Sequence, residues 1–192
     1  MKELLFFSHN QNKIIEINQI FKSNRIRINN LNSFQKIKEP VEKGKSFAEN
    51  AKIKSRFGQK TFNMPCFADD SGFCIEALNN NPGVKSKRFL EQFSSNKDAF
   101  DYIISNVIKK NNCNAFFVTA ISLSFKANHH IVFLAQINGK ISLRSKGDNG
   151  FGYDPIFIPE NHKKTFGEMR PSEKNKISHR RLAIIKLKSF LF

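Results

Sequence analysis

The chain opens on a short apolar run, Leu4 to Phe7, the pattern of a buried strand. A polar stretch, Ser8-His9-Asn10-Gln11-Asn12-Lys13, follows at once. Ile14, Ile17 and Phe21, with Ile15 and Ile20 beside them, then recur at helical spacing. The opening therefore reads strand, polar loop, helix. In α/β folds such a loop lies at the carboxyl end of a strand, where ligands bind, and the following helix N-terminus favours anions. Lys13 is a candidate phosphate contact, although no glycine-rich phosphate loop is present and a plain surface loop has the same composition.

Further elements follow the same logic. Residues 26–31 predict a second strand. Pro40 and Gly44 mark a loop, and Ser46-x-x-Glu49 has the form of a capping box opening a helix to about Phe57. Residues 94–110 predict a helix with Phe100, Ile103, Ile104 and Val107 inward and Ser95 near its start. Residues 116–125 predict a long strand. Residues 131–137 and 140–143 flank Asn138-Gly139, a hairpin signal. After a strand at 156–158, Ser178 is a candidate N-cap for a last helix with Leu182, Ile185 and Leu187 or Ser189 inward. His179 and Arg180 then fall in its first turn, where cations oppose the helix dipole and call for an anion or an acidic neighbour.

One stretch breaks the pattern. In Phe67-Ala68-Asp69-Asp70-Ser71-Gly72-Phe73, two carboxylates, a hydroxyl and a glycine interrupt an apolar run. An unpaired buried carboxylate is costly, so something must compensate for these residues, and a bound metal ion or phosphate is one candidate. An ordinary Asp-Ser-Gly turn between two strands is the alternative. Adjacent strand residues point to opposite faces, so both carboxylates serve one site only if the strand breaks there, at Ser71-Gly72. Two other stretches carry candidate chemistry. Lys85, Lys87 and Arg88 lie within four residues, for phosphate or for solvent. Gly147, Gly150 and Gly152 surround Phe151, letting backbone approach a ligand while a ring stacks on it, or ending a hairpin.

Composition narrows the classes. The 192 residues suit one domain, with or without two lobes. The formal net charge of +16 favours polyanionic partners, but the basic residues are spread along the chain rather than gathered in one tract. Three cysteines without CxxC spacing argue against a disulfide scaffold and a zinc site. The N-terminal apolar run is too short for a signal peptide, and no stretch is long enough to span a membrane. A cytoplasmic protein is expected.

Six pieces together resemble the inosine triphosphatase family, pyrophosphatases for non-standard purine nucleoside triphosphates. They are Ser8-x-Asn10-x-x-Lys13-x-x-Glu16, Phe47-x-Glu49-Asn50-Ala51-x-x-Lys54, Ala68-Asp69-Asp70-Ser71-Gly72, Asn81-Pro82-Gly83-Val84-x-Ser86-x-Arg88, Gly150-Phe151-Gly152-Tyr153-Asp154-Pro155-Ile156-Phe157 and Glu173-Lys174-x-x-Ile177-Ser178-His179-Arg180. Their order is that of the family, and they span nearly the whole chain. Three departures stand out: Ser8-His9-Asn10 where the family usually has Thr-Gly-Asn, Gly167-Glu168-Met169 where it has Ala-Glu-Leu, and Lys85 where an aromatic is common.

The resemblance implies an α/β fold across residues 1–192, an elongated mixed sheet with helices, and two lobes enclosing a central nucleotide cleft. It implies a homodimer and a magnesium-dependent hydrolysis of ITP, dITP and XTP to the monophosphate and pyrophosphate. Asp70 matches the metal ligand and proton acceptor, and Glu42 the second acidic position, with Glu49 the competing candidate. Ser8, His9, Asn10, Gln11, Asn12, Lys13 and Ser71 match triphosphate positions. Phe151, Gly152, Tyr153, Asp154, Lys174, His179 and Arg180 match the base and sugar pocket. No membrane or stable nucleic-acid partner is expected. The competing functions are a pyrophosphatase for another modified nucleotide on the same fold and, from charge alone, a basic nucleic-acid-binding module.

Overall fold

The computed structural model describes residues 2–21, 26–35, 37–126 and 129–192. Along these residues run β1 (Lys2–Phe6), α1 (Gln11–Phe21), β2 (Ile26–Asn30), α2 (Phe47–Phe62), β3 (Cys66–Ile75), β4 (Asn81–Gly83), α3 (Ser86–Leu90), α4 (Asn96–Lys110), β5 (Asn114–Lys126), β6 (His129–Ile141), β7 (Phe157–Pro159), α5 (Pro171–Ile177) and α6 (His179–Leu191). The strands form one mixed sheet in the order β2-β1-β3-β5-β6-β7, and β4 pairs with β3 off that path. β1 is parallel to β2 and β3, whereas β3–β4 and β6–β7 are antiparallel. The fold is α/β, as expected.

The chain divides into two compact units. The first takes in the chain up to Asp70, Thr119–Ala135 and Arg180–Phe192; the second is Ser71–Val118 and Gln136–His179.

In the first unit β1 is covered on both faces, which is why it reads as an unbroken apolar run. Leu4 and Phe6 pack with Ile14, Ile17 and Phe21 of α1 and with Ala183, Ile184 and Leu187 of α6. Leu5 and Phe7 face the other way, with Cys66, Ala68 and the partly buried Phe57 and Phe62 of α2. β3 alternates in the same manner, Phe67 joining the first cluster and Cys66 and Ala68 the second. Ser46 N-caps helix α2 as expected, its Oγ accepting from the Glu49 N–H, but the Glu49 carboxylate reaches one residue further back and accepts from the Lys45 N–H at 2.6 Å. A Cβ on Gly58 would fall 2.5 Å from Cys66 Sγ and 2.6 Å from the Phe7 ring, so only glycine lets α2 lie this close. Ser55 Oγ, one residue past Lys54, sits 2.9 Å from both Ser122 Oγ and Ser124 Oγ of β5, all three buried.

The second unit is built on Phe73. Its ring lies 4.5 Å from Phe117, 4.9 Å from Tyr153 and 5.6 Å from Phe157, with Phe100, Ile103 and Val107 of α4 in the same core. Ser86 Oγ accepts from the Phe73 N–H and donates to the Gly83 carbonyl, tying β3 to the turn after β4.

Four expectations are corrected. The Asp69-Asp70 stretch is no turn, and β3 does not break at Ser71-Gly72; it runs unbroken from Cys66 to Ile75. Asn138-Gly139 makes no hairpin, because β6 continues through it to Ile141. The glycine serves a close approach instead: a Cβ there would lie 2.2 Å from the Ile158 carbonyl oxygen of β7. The last helix turns Ala183, Ile184 and Leu187 inward, and leaves Leu182 and Ile185 exposed. Ser178 C-caps α5, a helix that the pattern does not reveal, although His179 and Arg180 do occupy the first turn of α6.

Removing the Ser55 hydroxyl strands two buried partners. Ser55→Ala is expected to cost about 1–3 kcal/mol, read as a lower urea midpoint at unchanged slope. A variant as stable as the parent would mean that the hydroxyl cluster does not hold α2 on β5.

Candidate active site

Strand alternation carries straight on from the core into the acidic pair. Asp69 continues the face of Phe67, toward α1 and α6. Its Oδ2 lies 2.8 Å from Lys13 Nζ and 3.4 Å from Arg180 Nε, and Arg180 also grips Glu16 of α1 through Nη1. Asp70 continues the face of Ala68, toward α2. Asn50 Nδ2 donates to its Oδ2 at 3.1 Å, and Lys54 Nζ stands 3.8 Å from its Oδ1. The same Lys54 Nζ is 2.8 Å from Glu42 Oε1. Asn50 and Lys54 are one helical turn apart, so α2 presents both to Asp70. Asn50 Oδ1 also accepts the Gly44 N–H, which holds the loop carrying Glu42.

The two neighbours differ electrostatically. Burial alone would raise the Asp69 carboxyl, but Lys13, Arg180 and Lys54 outweigh it and hold the group well below the usual range. For Asp70 burial wins over Lys54 and Asn50, Glu42 adds repulsion, and the group is pushed up to about 6. Burial lowers Lys13 despite Asp69. Lys54 is raised, since Asp69, Asp70 and Glu42 together exceed its burial cost.

The expected triphosphate segment builds the start of α1. Ser8 Oγ accepts the Asn10 N–H, and Asn10 Oδ1 accepts the Lys13 N–H, leaving Gln11 and Asn12 exposed in the first turn. His9, the departure from Thr-Gly-Asn, turns its Nδ1 to Asn32 Oδ1 at 3.0 Å and its Nε2 toward Glu39 at 3.7 Å. Ser71 follows Asp70 as the first residue of the second unit.

The expected base and sugar residues of the second unit form a cluster of their own. Lys174 Nζ lies 2.5 Å from Asp154 Oδ2, which also accepts the Phe151 N–H, and the ammonium stands 4.8 Å from the Phe151 ring centroid. A Cβ on Gly150 would strike Asp154 Oδ2 at 2.0 Å, and its φ is +80°, so glycine is required twice over. Tyr153 is a core residue here, its hydroxyl donating to the Ser86 carbonyl. Gly152 takes a φ of +62°. His179 stacks on Phe117 at 4.7 Å. Arg180 falls in the first unit, on Glu16 and Asp69. An open depression of about 840 Å³ in the second unit, near Cys113, Gly139 and His162, includes none of these residues.

Among the described residues no group of three or more His, Cys, Asp or Glu side chains could cage a metal. Two carboxylates converging on one cation position suit magnesium, which takes one or two carboxylates and completes its shell with water and phosphate. Glu42 is the carboxylate that shares Lys54 with Asp70, whereas Glu49 accepts from the Lys45 N–H at the start of α2. Asn50, Lys54 and Glu16 were absent from the sequence-derived candidates. The signal for them was spacing: Asn50 and Lys54 share a helix face, and Glu16 lies one turn beyond Lys13.

The chain matches the Ham1 family over residues 4–190. It belongs to the Ham1 family. A dITP/XTP pyrophosphatase of Acholeplasma laidlawii is 40% identical over 185 residues, covering 95% of this chain and 90% of the relative. One of Borrelia duttonii is 41% identical over 199 residues, covering 100% and 98%. Among solved structures, a HAM1 protein from Coxiella burnetii superposes with a TM-score of 0.91 at 33% identity, over 100% of this chain and 98% of that one. The Staphylococcus aureus Ham1 protein gives 0.88 at 34%, over 99% and 98%. Ham1 membership bears out the family resemblance drawn from the six motif pieces.

The acidic neighbours of this Ham1 chain should respond oppositely to pH. Asp70 has its folded value raised, so its penalty is present above about pH 6 and disappears as pH falls below about 4. With chelator present, Asp70→Asn should stabilise the protein by about 1–3 kcal/mol above that window and by nothing below it. Asp69 is depressed, so its contribution is present above the ordinary carboxylate range and is lost as pH falls. Asp69→Asn should therefore cost about 3–5 kcal/mol at neutral pH, by breaking a buried ion pair. Urea titrations of both variants across this range check the signs; equal effects would refute the division between the two faces.

Proposed function

We propose that this Ham1-family chain is a magnesium-dependent nucleoside triphosphate pyrophosphatase that hydrolyses ITP, dITP and XTP to the monophosphate and pyrophosphate. The observation that carries the reading is the convergence of Asp70 and Glu42 on one largely buried cation position. It occurs in a chain 40% identical, over nearly its full length, to an enzyme named dITP/XTP pyrophosphatase.

Asp70 and Glu42 would hold the magnesium, with water and phosphate oxygens completing its shell. When bound, the ion would offset triphosphate charge and help to orient the attacking water. Asp70 takes the proton of that water as its oxygen bonds to phosphorus and the α–β anhydride bond breaks, releasing pyrophosphate. The Ser8–Lys13 segment, at the carboxyl end of β1 and the start of α1, suits the phosphates, with Lys13 as a point charge that Asp69 holds in place. Phe151, Gly152, Tyr153, Asp154, Lys174, His179 and Arg180 keep the base and sugar roles that the resemblance implies. Donors aimed at a 6-oxo group reject a 6-amino purine, whose binding would leave buried polar groups unpaired. The cellular role of such an enzyme is to keep deaminated purines out of DNA and RNA. A homodimer and a cytoplasmic location belong to the same proposal and rest on the resemblance.

Purified protein incubated with ITP, XTP, ATP, GTP and methylated pyrimidine triphosphates should release pyrophosphate, fastest from ITP and XTP and only with magnesium. Asp70→Asn should lower the rate by about 10²–10⁴-fold, the usual worth of a positioned base. Orthophosphate as the sole product, or equal rates on ATP, would refute the reading. Preference for a methylated pyrimidine would redirect it to another modified nucleotide.

A further inference from the structure

We propose that Lys54 is the resident counter-cation of the metal position, its ammonium standing between Glu42 and Asp70 until a divalent ion displaces it. The inference rests on the reading of these two carboxylates as metal ligands. Lys54 Nζ is 2.8 Å from Glu42 Oε1 and 3.8 Å from Asp70 Oδ1, and its side chain is only 10% exposed. A magnesium ion bound to the same oxygens sits about 2.0–2.1 Å from each. An ammonium 2.8 Å from one of those oxygens and 3.8 Å from the other competes with it for that space.

The frame around this position does not depend on Lys54. Asn50 holds Asp70 through one amide end and the Gly44 N–H through the other. Ser55 fastens α2 to Ser122 and Ser124, and Gly58 lets the helix lie against Cys66 and Phe7. The helix is therefore anchored on both sides of Lys54, and the flexible four-carbon stem is the part free to move. The buried Asp70 and the partly exposed Glu42 would repel without a cation, so the ammonium keeps the site assembled while it holds no metal. The consequence is competition: the divalent ion gains the carboxylates only by evicting Lys54.

The test is binding of manganese alone, without nucleotide, followed by calorimetry or electron paramagnetic resonance at a pH well above the carboxylate range. Lys54→Met should bind manganese about tenfold tighter than the parent or better, a conservative figure beside the repulsion between charges about 4 Å apart near a protein surface. Lys54→Ala supplies an independent arm: added methylammonium should refill the position and weaken manganese binding, an effect absent in the parent. Circular dichroism identifies whichever variant remains folded. Equal or weaker manganese binding by the folded variants, with no methylammonium competition, overturns the role of Lys54. Undiminished manganese binding by Asp70→Asn would instead overturn the metal-ligand reading on which it rests.

Discussion

Two adjacent carboxylates in a strand covered on both faces impose the main constraint on the first unit. Neither is tolerable there without a compensating charge, and strand alternation turns the two side chains to opposite faces, although the Lys54 charge acts on both. The compensation therefore comes from opposite sides. Lys13 of α1 and Arg180 of α6 meet Asp69, while Lys54 and Asn50 of α2 meet Asp70. These contacts tie three helices to β3 in addition to their apolar stripes. Arg180 illustrates the point. At the start of α6 its charge opposes the helix dipole, and Glu16 and Asp69 supply the acidic neighbours that such a position needs.

What was legible in the sequence was local. The apolar period of α1 and α4 and the Ser46 cap of α2 follow from side-chain spacing and from backbone groups needing partners, so 3.6-residue reasoning finds them. What was not legible depends on distant groups. The unbroken β3 looks like a turn until the cations of three helices are in place. Asn138-Gly139 has the chemistry of a hairpin, but the glycine answers to a carbonyl of β7. In α6 the inward stripe begins with a charged residue: Arg180, Ala183, Ile184 and Leu187 are all buried. A hydrophobicity count omits Arg180, and so rotates the helix to Leu182 and Ile185.

The candidate site divides along the same line. Asp70 and the polar segment from Ser8 to Lys13 stood out because such residues are unusual beside apolar strands. Asn50 and Lys54 did not, since polar residues on a helix ordinarily face water. The packing of α2 through Gly58 and Ser55 turns them inward, so these small residues help to determine the site along with the groups they position.

Charge gives the last step. The chain carries +16, yet among the described residues the close ion pairs of the first unit set three cations, Lys13, Lys54 and Arg180, against four carboxylates, Glu16, Glu42, Asp69 and Asp70. It is a net acidic point in a basic protein. A surface evolved only to hold a phosphate backbone has no use for carboxylates buried at such cost. The proposed substrate, a polyphosphate accompanied by a divalent cation, would use both features: the basic field would draw the anion, and the acidic point would take the metal. Within that point the carboxylates are unequal. At ion-pair distance Asp69 meets Lys13 and Arg180, whereas Asp70 and Glu42 both meet Lys54. Under the proposed function, the pair that shares this one close cation is the pair that would hold the metal ion.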